Sequence, residues 1–396
     1  MQEARLRYVF GNGLGALAGR LADDLASEPL ADALDADVVV VPHPGMGRWL
    51  QQFLAQRWGI ATLVDAVLPA QFAWRVVRTL HPDLPETTSA YDREPLLWRI
   101  HALLPVLARE REFAVVAAYL ADDDPRKAYE LADRLASVFE QYLLYRPGWL
   151  QRWQRGEALG VSHPHEAWQA ELWRRLRHDV GEPHRAELIR ELAHRVQAGR
   201  VDTSMLPPRV NVLGVSSLPP LYLQLFAALA ACTDLRLYHV NPSAEYWGDI
   251  TIARERPELI AKLQREGIAE PEAYLDEGHP LLASWGRLGR DFVQLLFGQP
   301  ALQIDDEFLG ADAEPVNVLS WLRAGISRLD TALPAPPPDD SLRIVGCASR
   351  LREVEVLHDQ LLHRLAPTPG EPALAPRQID HHRHTTGVMA QRQRHR

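Results

Sequence analysis

The pattern of apolar and polar positions predicts strands that alternate with helices. Val38–Val41 is a run of four β-branched residues. It is too apolar for a strand with one wet face, so it predicts a central strand covered on both sides. Pro42 and Pro44 have no N–H to give to a neighbouring strand and end it. Helical spacing follows at Met46, Trp49, Leu50, Phe53 and Leu54. Because ligands of open α/β sheets lie beyond the carboxyl ends of strands, this turn is a candidate site.

A glycine-rich turn follows the first apolar strand, 6–10. The turn contains Gly11, Gly13 and Gly15, and it opens a helix that carries Leu17, Leu21 and Leu25. Strand, glycine-rich turn and helix is the geometry of a phosphate-binding loop. The Lys-Ser or Lys-Thr pair of a nucleoside-triphosphate loop does not follow. We therefore expect a degenerate loop that makes the turn and does not bind or hydrolyse ATP.

Helical spacing continues through the next part of the chain. Residues 63–80 predict a core helix with Phe72 and Trp74, and the pattern from 91 to 173 is helical throughout. The stretch 139–150, FEQYLLYRPGWL, combines aromatic, acidic, amide and arginine side chains, a composition that suits single-stranded nucleic acid. Core packing at helical spacing explains its aromatics equally well. The arginine-rich run 168–188 is typical of a solvated helix face.

Strand patterns return after the helical region. Residues 210–215 and 235–240 read as strands around a helix at 221–231, so a sheet is assembled from separated segments. Residues 279–296 predict one amphipathic helix, and 342–349 predict a strand before a helix over 352–365. The predicted organisation is 1–90 first α/β segment, 91–205 α-helical insertion, 206–330 return to the first α/β domain, 331–340 proline-rich linker, 341–366 start of a second α/β domain and 367–396 disordered or frameshifted tail.

Composition narrows the class of protein. The chain has 396 residues, of which 46% are hydrophobic and 24% charged, as in ordinary globular proteins. Two separated cysteines argue against a disulfide framework or a zinc cluster, so we expect no metal and a cytoplasmic setting. A bilayer span needs about 18 apolar residues in a row, and neither that run nor a signal peptide is present. The net charge of −9 leaves nucleic-acid binding to a local basic channel.

Eight collinear stretches carry a resemblance to a known family. They are VVVVPHPGMGRWLQ, LPAQFAW, FEQYLLYRPGWL, WQAELW, GVSSLPPLYLQ, NPSAEYWGDI, HPLLASWGRLGRD and REVEVLHDQLL. Together they resemble the N-terminal part of RecC, the gamma subunit of exodeoxyribonuclease V, over residues 5–366. The resemblance implies an α/β fold: a superfamily-one helicase-like domain, degenerate in its P-loop, with a large α-helical insertion and the start of a second α/β domain. It also implies that the rest of a full-length subunit, with its nuclease-like domain, is absent here.

The resemblance implies a non-catalytic DNA-binding role. Gamma subunits split double-stranded DNA ends and guide the 3′ single strand through a channel, where it is scanned for Chi during repair by homologous recombination. The implied partners are the beta and alpha subunits of a heterotrimer, which use ATP and Mg²⁺, with no cofactor in this chain and no membrane partner. The positions implied to contact DNA are Arg48, Leu68, Trp74, Ser137, Glu140, Gln141, Arg146 and Arg185.

The first turn departs from the family pattern. Pro42, Pro44 and Arg48 stand where well-known members have amide and hydroxyl side chains, and proline donates no hydrogen bond to a base edge. Three classes stay open: a DNA-guiding subunit, an active ATP-dependent helicase, and a structural scaffold that no longer reads Chi. The missing lysine disfavours the helicase, and the two prolines keep the scaffold as an open alternative.

Overall fold

The computed structural model describes residues 6–32, 34–85, 89–122, 124–160, 164–252, 254–265, 278–300, 302–309 and 314–366. The chain divides into two compact units. One contains Met1–Val316 and Ser320–Pro336, and the other contains Asn317–Leu319 and Pro337–Arg396. The predicted tail, 367–396, lies outside the described residues.

A six-stranded sheet organises the first unit. Its strands are β1 Leu6–Gly11, β2 Asp37–Val40, β3 Val64–Val67, β4 Arg209–Leu213, β5 Asp234–Val240 and β6 Leu302–Leu309. Their order is β3-β2-β4-β5-β1-β6, and every neighbouring pair is parallel. The predicted mixed α/β fold with a parallel sheet is therefore confirmed. β2 pairs with β4, so strands that are far apart in sequence form the middle of the sheet.

Helices cover both faces of this sheet, as the run of valines predicts. On one face Val39 and Val41 pack with helices α1 (Leu14–Ser27) and α2 (Pro44–Trp58). On the other face Val38 and Val40 belong to the core shared with α3 (Pro69–Leu80) and α10 (Pro220–Leu229). Successive side chains of a strand point to opposite faces, so one apolar run supplies both cores.

Six α-helices lie between α3 and α10 in the described part of the chain. They are α4 Arg93–Leu107, α5 Ala114–Tyr119, α6 Pro125–Tyr145, α7 Pro147–Gln154, α8 Glu166–Val180 and α9 Arg185–Gln197. Buried aromatic rings, including Phe139 and Trp173, fill the space between them. α6 ends at Tyr145 and α7 begins at Pro147, which is the break that proline predicts.

Three predicted elements differ from the structure. Residues 64–67, inside the helix expected over 63–80, form the strand β3, and the helix α3 begins at Pro69. The helix expected over 279–296 is two helices, α12 (Pro280–Trp285) and α13 (Arg287–Phe297). The chain turns at Gly286, where a Cβ would lie 2.4 Å from the carbonyl oxygen of Leu282, so only glycine fits. The described residues 342–349 form no strand, because a strand is stabilised by a hydrogen-bonded neighbour that this segment lacks.

The remaining helices complete the described chain. They are α11 Arg256–Arg265, α14 Val318–Ser327 and α15 Arg350–Leu365. α15 begins at Arg350, two residues before the predicted start at Arg352, and Ser349 caps it by accepting a hydrogen bond from the Arg352 N–H. The domain boundaries expected from the sequence, including a second α/β domain that starts near 341, stay predictions.

Candidate nucleic-acid interface

A basic cavity opens beyond the carboxyl end of the edge strand β3. Its volume is about 540 Å³, and it is lined by Asp65, Ala66, Val67, Ala70, Gln71, Trp74, Arg75, Arg78 and Arg185. Leu68 links β3 to α3, and its backbone N–H donates to the Gln71 side chain at 3.3 Å. This edge is where ligands of open α/β sheets bind.

Trp74 is held firmly at this cavity. Only 6% of the residue is exposed, and its indole N–H donates to the Pro85 carbonyl oxygen at 2.9 Å. The guanidinium carbon of Arg185 lies 4.7 Å from the centre of the indole ring. Arg185 also pairs with Asp92, with 2.9 Å between nitrogen and oxygen. A base could therefore stack on this face only after Arg185 moves away.

Positive charge dominates the cavity lining. Arg75, Arg78 and Arg185 bring three guanidinium groups, whereas Asp65 brings the one carboxylate among the residues that line it. Asp65 pairs with Arg75 at 2.5 Å. A guanidinium fork matches the oxygen geometry of a phosphate, so this lining suits a phosphate group.

The start of α9 fixes the position of Arg185. His184 precedes it as the N-cap residue, and its Nδ1 accepts from the Glu187 N–H while the Glu187 carboxylate accepts from the His184 N–H. The imidazole is fully buried beside the ring of Trp173. Burial first, and then the positive charges of Arg177 and Arg190, lower the pKa of His184 to about 3. A neutral, buried cap thus anchors the helix end that carries Arg185.

The exposed side of α6 brings a second group of expected contact residues. Gln141 is exposed, Ser137 and Glu140 are half-buried, and Arg146 is exposed just beyond the end of the helix. None of these four lines the cavity beside Trp74.

Tyr222 lies on α10, which packs against both α3 and α6. Burial is the main cause that raises the pKa of its hydroxyl to about 12. The charge of Arg185 lowers this pKa, whereas the charges of Tyr145, Glu140 and Asp92 raise it. The charges of Arg185 and Glu140 therefore both act on this one hydroxyl. The structure thus brings Trp74, Leu68 and Arg185 together and sets Glu140 nearby.

Two aromatic residues beside Arg146 were missed in the sequence. Tyr145 is 50% exposed and Trp149 is 37% exposed. The guanidinium of Arg146 lies 5.6 Å from the centre of the Trp149 ring. The signal was available, because both rings flank the Arg-Pro-Gly turn, but packing could not be distinguished from exposure. Arg75 and Arg78 were missed as well, since their spacing on α3 is that of an ordinary helix face.

Arg48 stands apart from this group. It is exposed in the first turns of α2, where His43 is the N-cap residue and accepts the Met46 N–H at 3.1 Å. Within the described part of the chain, no carboxylate forms an ion pair with Arg48. It is therefore available to an anionic partner, although it does not line the cavity beside Trp74.

The glycine-rich turn lies at the same carboxyl edge of the parallel sheet, at the end of β1, and β2, β4 and β5 separate it from β3. Gly13 is the N-cap of α1 and has no side chain to cap it. A cavity of about 910 Å³ adjoins the turn and is lined by Asn12, Gly13, Ala16, Val240, Pro242, Glu307, Phe308, Leu309, Ser320, Arg323, Ala324, Ile326 and Ser327. A Cβ at Gly11 would lie 1.8 Å from the Leu309 carbonyl oxygen. Gly11 is thus required for the close pairing of β1 with β6, whatever the turn binds.

The described residues hold neither a candidate metal cluster nor a candidate membrane span. Among them, no group of three or more His, Cys, Asp or Glu side chains is arranged to hold a metal ion. No helix within the described ranges is long and apolar enough to cross a membrane.

Fold and site together define an α/β protein with a basic cavity that is lined by Trp74 and three arginines. Residues 6–329 match the family model described as the N-terminal domain of RecC. The RecBCD enzyme subunit RecC of Escherichia coli (strain K12) is 35% identical over 94% of this chain and 36% of its own length. The same subunit of Mycolicibacterium smegmatis is 31% identical over 91% of this chain and 32% of its own length. The same subunit of Haemophilus influenzae is 29% identical over 89% of this chain and 36% of its own length.

The chain belongs to the RecC family, which confirms the resemblance found in the sequence. It spans about a third of the length of the curated relatives that it matches.

Proposed function

We propose that this chain acts as a non-catalytic DNA-binding part of a RecBCD-type helicase-nuclease. In this role it helps to split duplex ends and guides the 3′ strand, scanning it for a Chi-like sequence during repair of double-strand breaks. Its partners are double-stranded and single-stranded DNA and the beta and alpha subunits of the complex. ATP and Mg²⁺ are used by those other subunits.

The observation that carries the proposal is the grouping of Trp74 and Arg185 at one basic cavity. Single-strand binders combine a positive groove for the backbone with aromatic rings on which bases stack. Here three guanidinium groups line the cavity and the indole forms part of its wall. The exposed pair of Arg146 and Trp149 supplies the same combination on the neighbouring helices.

The cavity beside Trp74 and the exposed side of α6 suit one continuous DNA strand. α6 packs against α9, whose first residue is Arg185, so the cavity and the α6 surface are neighbours. Arg146 follows Glu140 after about 1.7 helical turns, since a turn has about 3.6 residues. We infer that the strand runs from the cavity along α6 towards Arg146.

A structural scaffold that no longer reads sequence is the second candidate. Trp74 is almost fully buried and its ring is covered by Arg185, as in a residue that stabilises the fold. Pro42, which follows the central strand, is exposed but has no N–H to offer a base. Under this alternative the chain holds the complex together and the strand passes without contact.

Strand binding by the full 396-residue chain tests the proposal. A labelled oligothymidylate is titrated with the parent, with Trp74→Ala and with Arg146→Ala, each checked first for intact folding. Loss of a stacked base costs about 1–3 kcal/mol, so Trp74→Ala should weaken binding by that amount. The loss in Arg146→Ala should shrink as salt rises, because a phosphate contact acts through counterion release.

Matched variants show whether the effect is specific. Trp98→Ala removes a tryptophan that is 55% exposed on α4, and Arg126→Ala removes an exposed arginine at the other end of α6. Both should bind as the parent does. If Trp74→Ala and Arg146→Ala also fold and bind as the parent does, the two residues are structural and the scaffold is the better account.

A further inference from the structure

The guanidinium of Arg185 has two partners, the aromatic ring of Trp74 and the carboxylate of Asp92. It covers the indole of Trp74 at 4.7 Å and pairs with the carboxylate of Asp92 at 2.9 Å. The same guanidinium lines a basic cavity that suits a phosphate. A phosphate that enters the cavity would therefore compete with Asp92 for Arg185.

We propose that the cavity beside Trp74 is a subsite for one backbone phosphate of a DNA strand, and that Asp92 is the positioning residue that keeps Arg185 on Trp74 until this phosphate arrives. This inference rests on the proposed function, because the phosphate belongs to the guided strand. Asp92 lies outside the set of residues that the family resemblance implies.

The geometry explains why Asp92 can hold Arg185. Asp92 is the N-cap residue of α4, and its carboxylate accepts a hydrogen bond from the Ser89 N–H at 2.8 Å. Arg185 is the first residue of α9. Each partner thus sits at the end of a packed helix, and the ion pair joins these two helix ends.

The ion pair between Asp92 and Arg185 is also weak enough for a phosphate to replace Asp92. The two side chains are 26% and 30% exposed, so water screens the attraction between them. Partly exposed pairs of this kind contribute about 0.2–1 kcal/mol, which corresponds to a factor of about 1.4 to 5 in an equilibrium constant. A strand phosphate, flanked by Arg75 and Arg78 in the same cavity, offers Arg185 a better-placed anion.

Exchange has a consequence for Trp74. When Arg185 turns from Asp92 to the phosphate, the guanidinium leaves the indole and one ring face becomes open to a base. A phosphate and a base of the same strand are then bound together, whereas the free protein keeps the ring covered. This accounts for a tryptophan that is buried in the free chain and still positioned at a basic cavity.

The test is a double-mutant cycle on strand affinity. Labelled oligothymidylate is titrated with the full chain carrying Asp92→Asn, Arg185→Ala or both, at several salt concentrations. Asp92→Asn should tighten binding by a factor of about 1.4 to 5, since the competing charge is gone. Arg185→Ala should weaken binding and reduce the salt slope by about 0.7, the value for one phosphate of a single strand. The double variant should match Arg185→Ala.

Three further variants serve as controls. Asp92→Glu keeps the charge and should bind as the parent does. Asp92→Ser is a second neutral N-cap residue and should repeat the effect of Asp92→Asn if that variant folds poorly. Asp179→Asn removes a carboxylate of another ion pair, with Arg99 at 2.8 Å, and should leave affinity unchanged.

Inorganic phosphate, added at constant ionic strength, distinguishes a strand phosphate from a free anion. It should not displace the oligonucleotide more than chloride does, and stronger displacement would contradict a subsite built for the strand.

The possible results separate this inference from the proposed function. If the parent binds the strand but Asp92→Asn binds equally or more weakly, competition by Asp92 is wrong and the proposed function stands. If Asp179→Asn tightens binding as much as Asp92→Asn does, the effect comes from the net charge of the protein, and the inference is also wrong. If the parent chain binds no strand, both are wrong.

Discussion

The guanidinium of Arg146 lies 5.6 Å from the ring centre of Trp149, on the exposed side of the break between α6 and α7. Arg146 also donates to the Tyr145 carbonyl oxygen at 3.2 Å. An exposed ring beside an exposed guanidinium offers a base a stacking face and a phosphate a partner in one place. Trp149→Ala should therefore weaken binding of a single strand by about 1–3 kcal/mol, measured by fluorescence titration.

The control for Trp149 is Trp58, a tryptophan of equal exposure. Both are 37% exposed, but Trp58 ends α2 and lies outside the residues grouped around Arg146. Trp58→Ala should bind as the parent does. Equal losses in the two variants would mean that the strand does not select the surface beside Arg146.

A buried ion pair should stabilise the middle of the sheet. Arg209 of β4 is 4% exposed and pairs with Asp37 of β2 at 2.6 Å. Asp37→Ala leaves this buried guanidinium without its carboxylate, which costs about 3–5 kcal/mol of unfolding free energy. Urea denaturation of the parent and the variant measures the loss.

Asp133 provides the exposed comparison for that experiment. It pairs with Arg93 at 2.7 Å, but more than half of the Arg93 side chain is exposed, at 55%. Asp133→Ala should therefore cost less than about 1 kcal/mol. If the two variants lose the same stability, burial does not decide the contribution of the Arg209 pair.

Buried His184 should make stability depend on pH. Its pKa falls from 6.5 to about 3 on folding, so between these values the unfolded chain binds a proton that the folded chain does not. The free energy of unfolding is therefore not reduced by His184 above about pH 6.5. As the pH falls below this value, the free energy of unfolding decreases by about 1.4 kcal/mol for each pH unit.

His184→Asn isolates this effect. Asparagine retains an acceptor for the Glu187 N–H at the helix cap but does not titrate. Urea unfolding at pH 7 and pH 5 should show a smaller pH dependence for the variant than for the parent. An identical dependence in both proteins would show that His184 does not titrate on unfolding.

The glycine-rich turn predicts that the chain has no ATPase activity. No lysine follows Gly11, Gly13 and Gly15 to contact the β- and γ-phosphates of a nucleotide. Phosphate release should stay at background when single-stranded DNA is added to the purified chain. Turnover that persists in repurified protein and depends on DNA would contradict this prediction.

Local patterns predicted four of the six described strands and the end of α6, whereas β3 lies inside a predicted helix and β6 was not predicted. Four β-branched valines specify a strand that is covered on both faces, and Pro147 specifies the end of α6. Both signals act within a few residues, so sequence alone contains them. The strand expected at 342–349 failed for the opposite reason, because pairing depends on a neighbour elsewhere in the chain.

The candidate site was less accessible to sequence reasoning. The resemblance pointed to Trp74 and Arg185, but not to the contact between them, which joins α3 to α9. Exposure separates Trp149 from an ordinary core tryptophan, and it depends on how α6, α7 and α8 pack. Such relations are fixed by tertiary packing, so helical spacing does not report them.

Photocrosslinking tests the central claim most directly, because it reports which rings touch the strand. An oligonucleotide with iododeoxyuridine at single positions is irradiated with the full chain, and crosslinked peptides are identified by mass spectrometry. Our account predicts crosslinks at Trp149, Tyr145 and Trp74, and none at Trp98, which is more exposed than any of these at 55%. Crosslinks at Trp98 without any at the other three rings would contradict the proposed path of the strand.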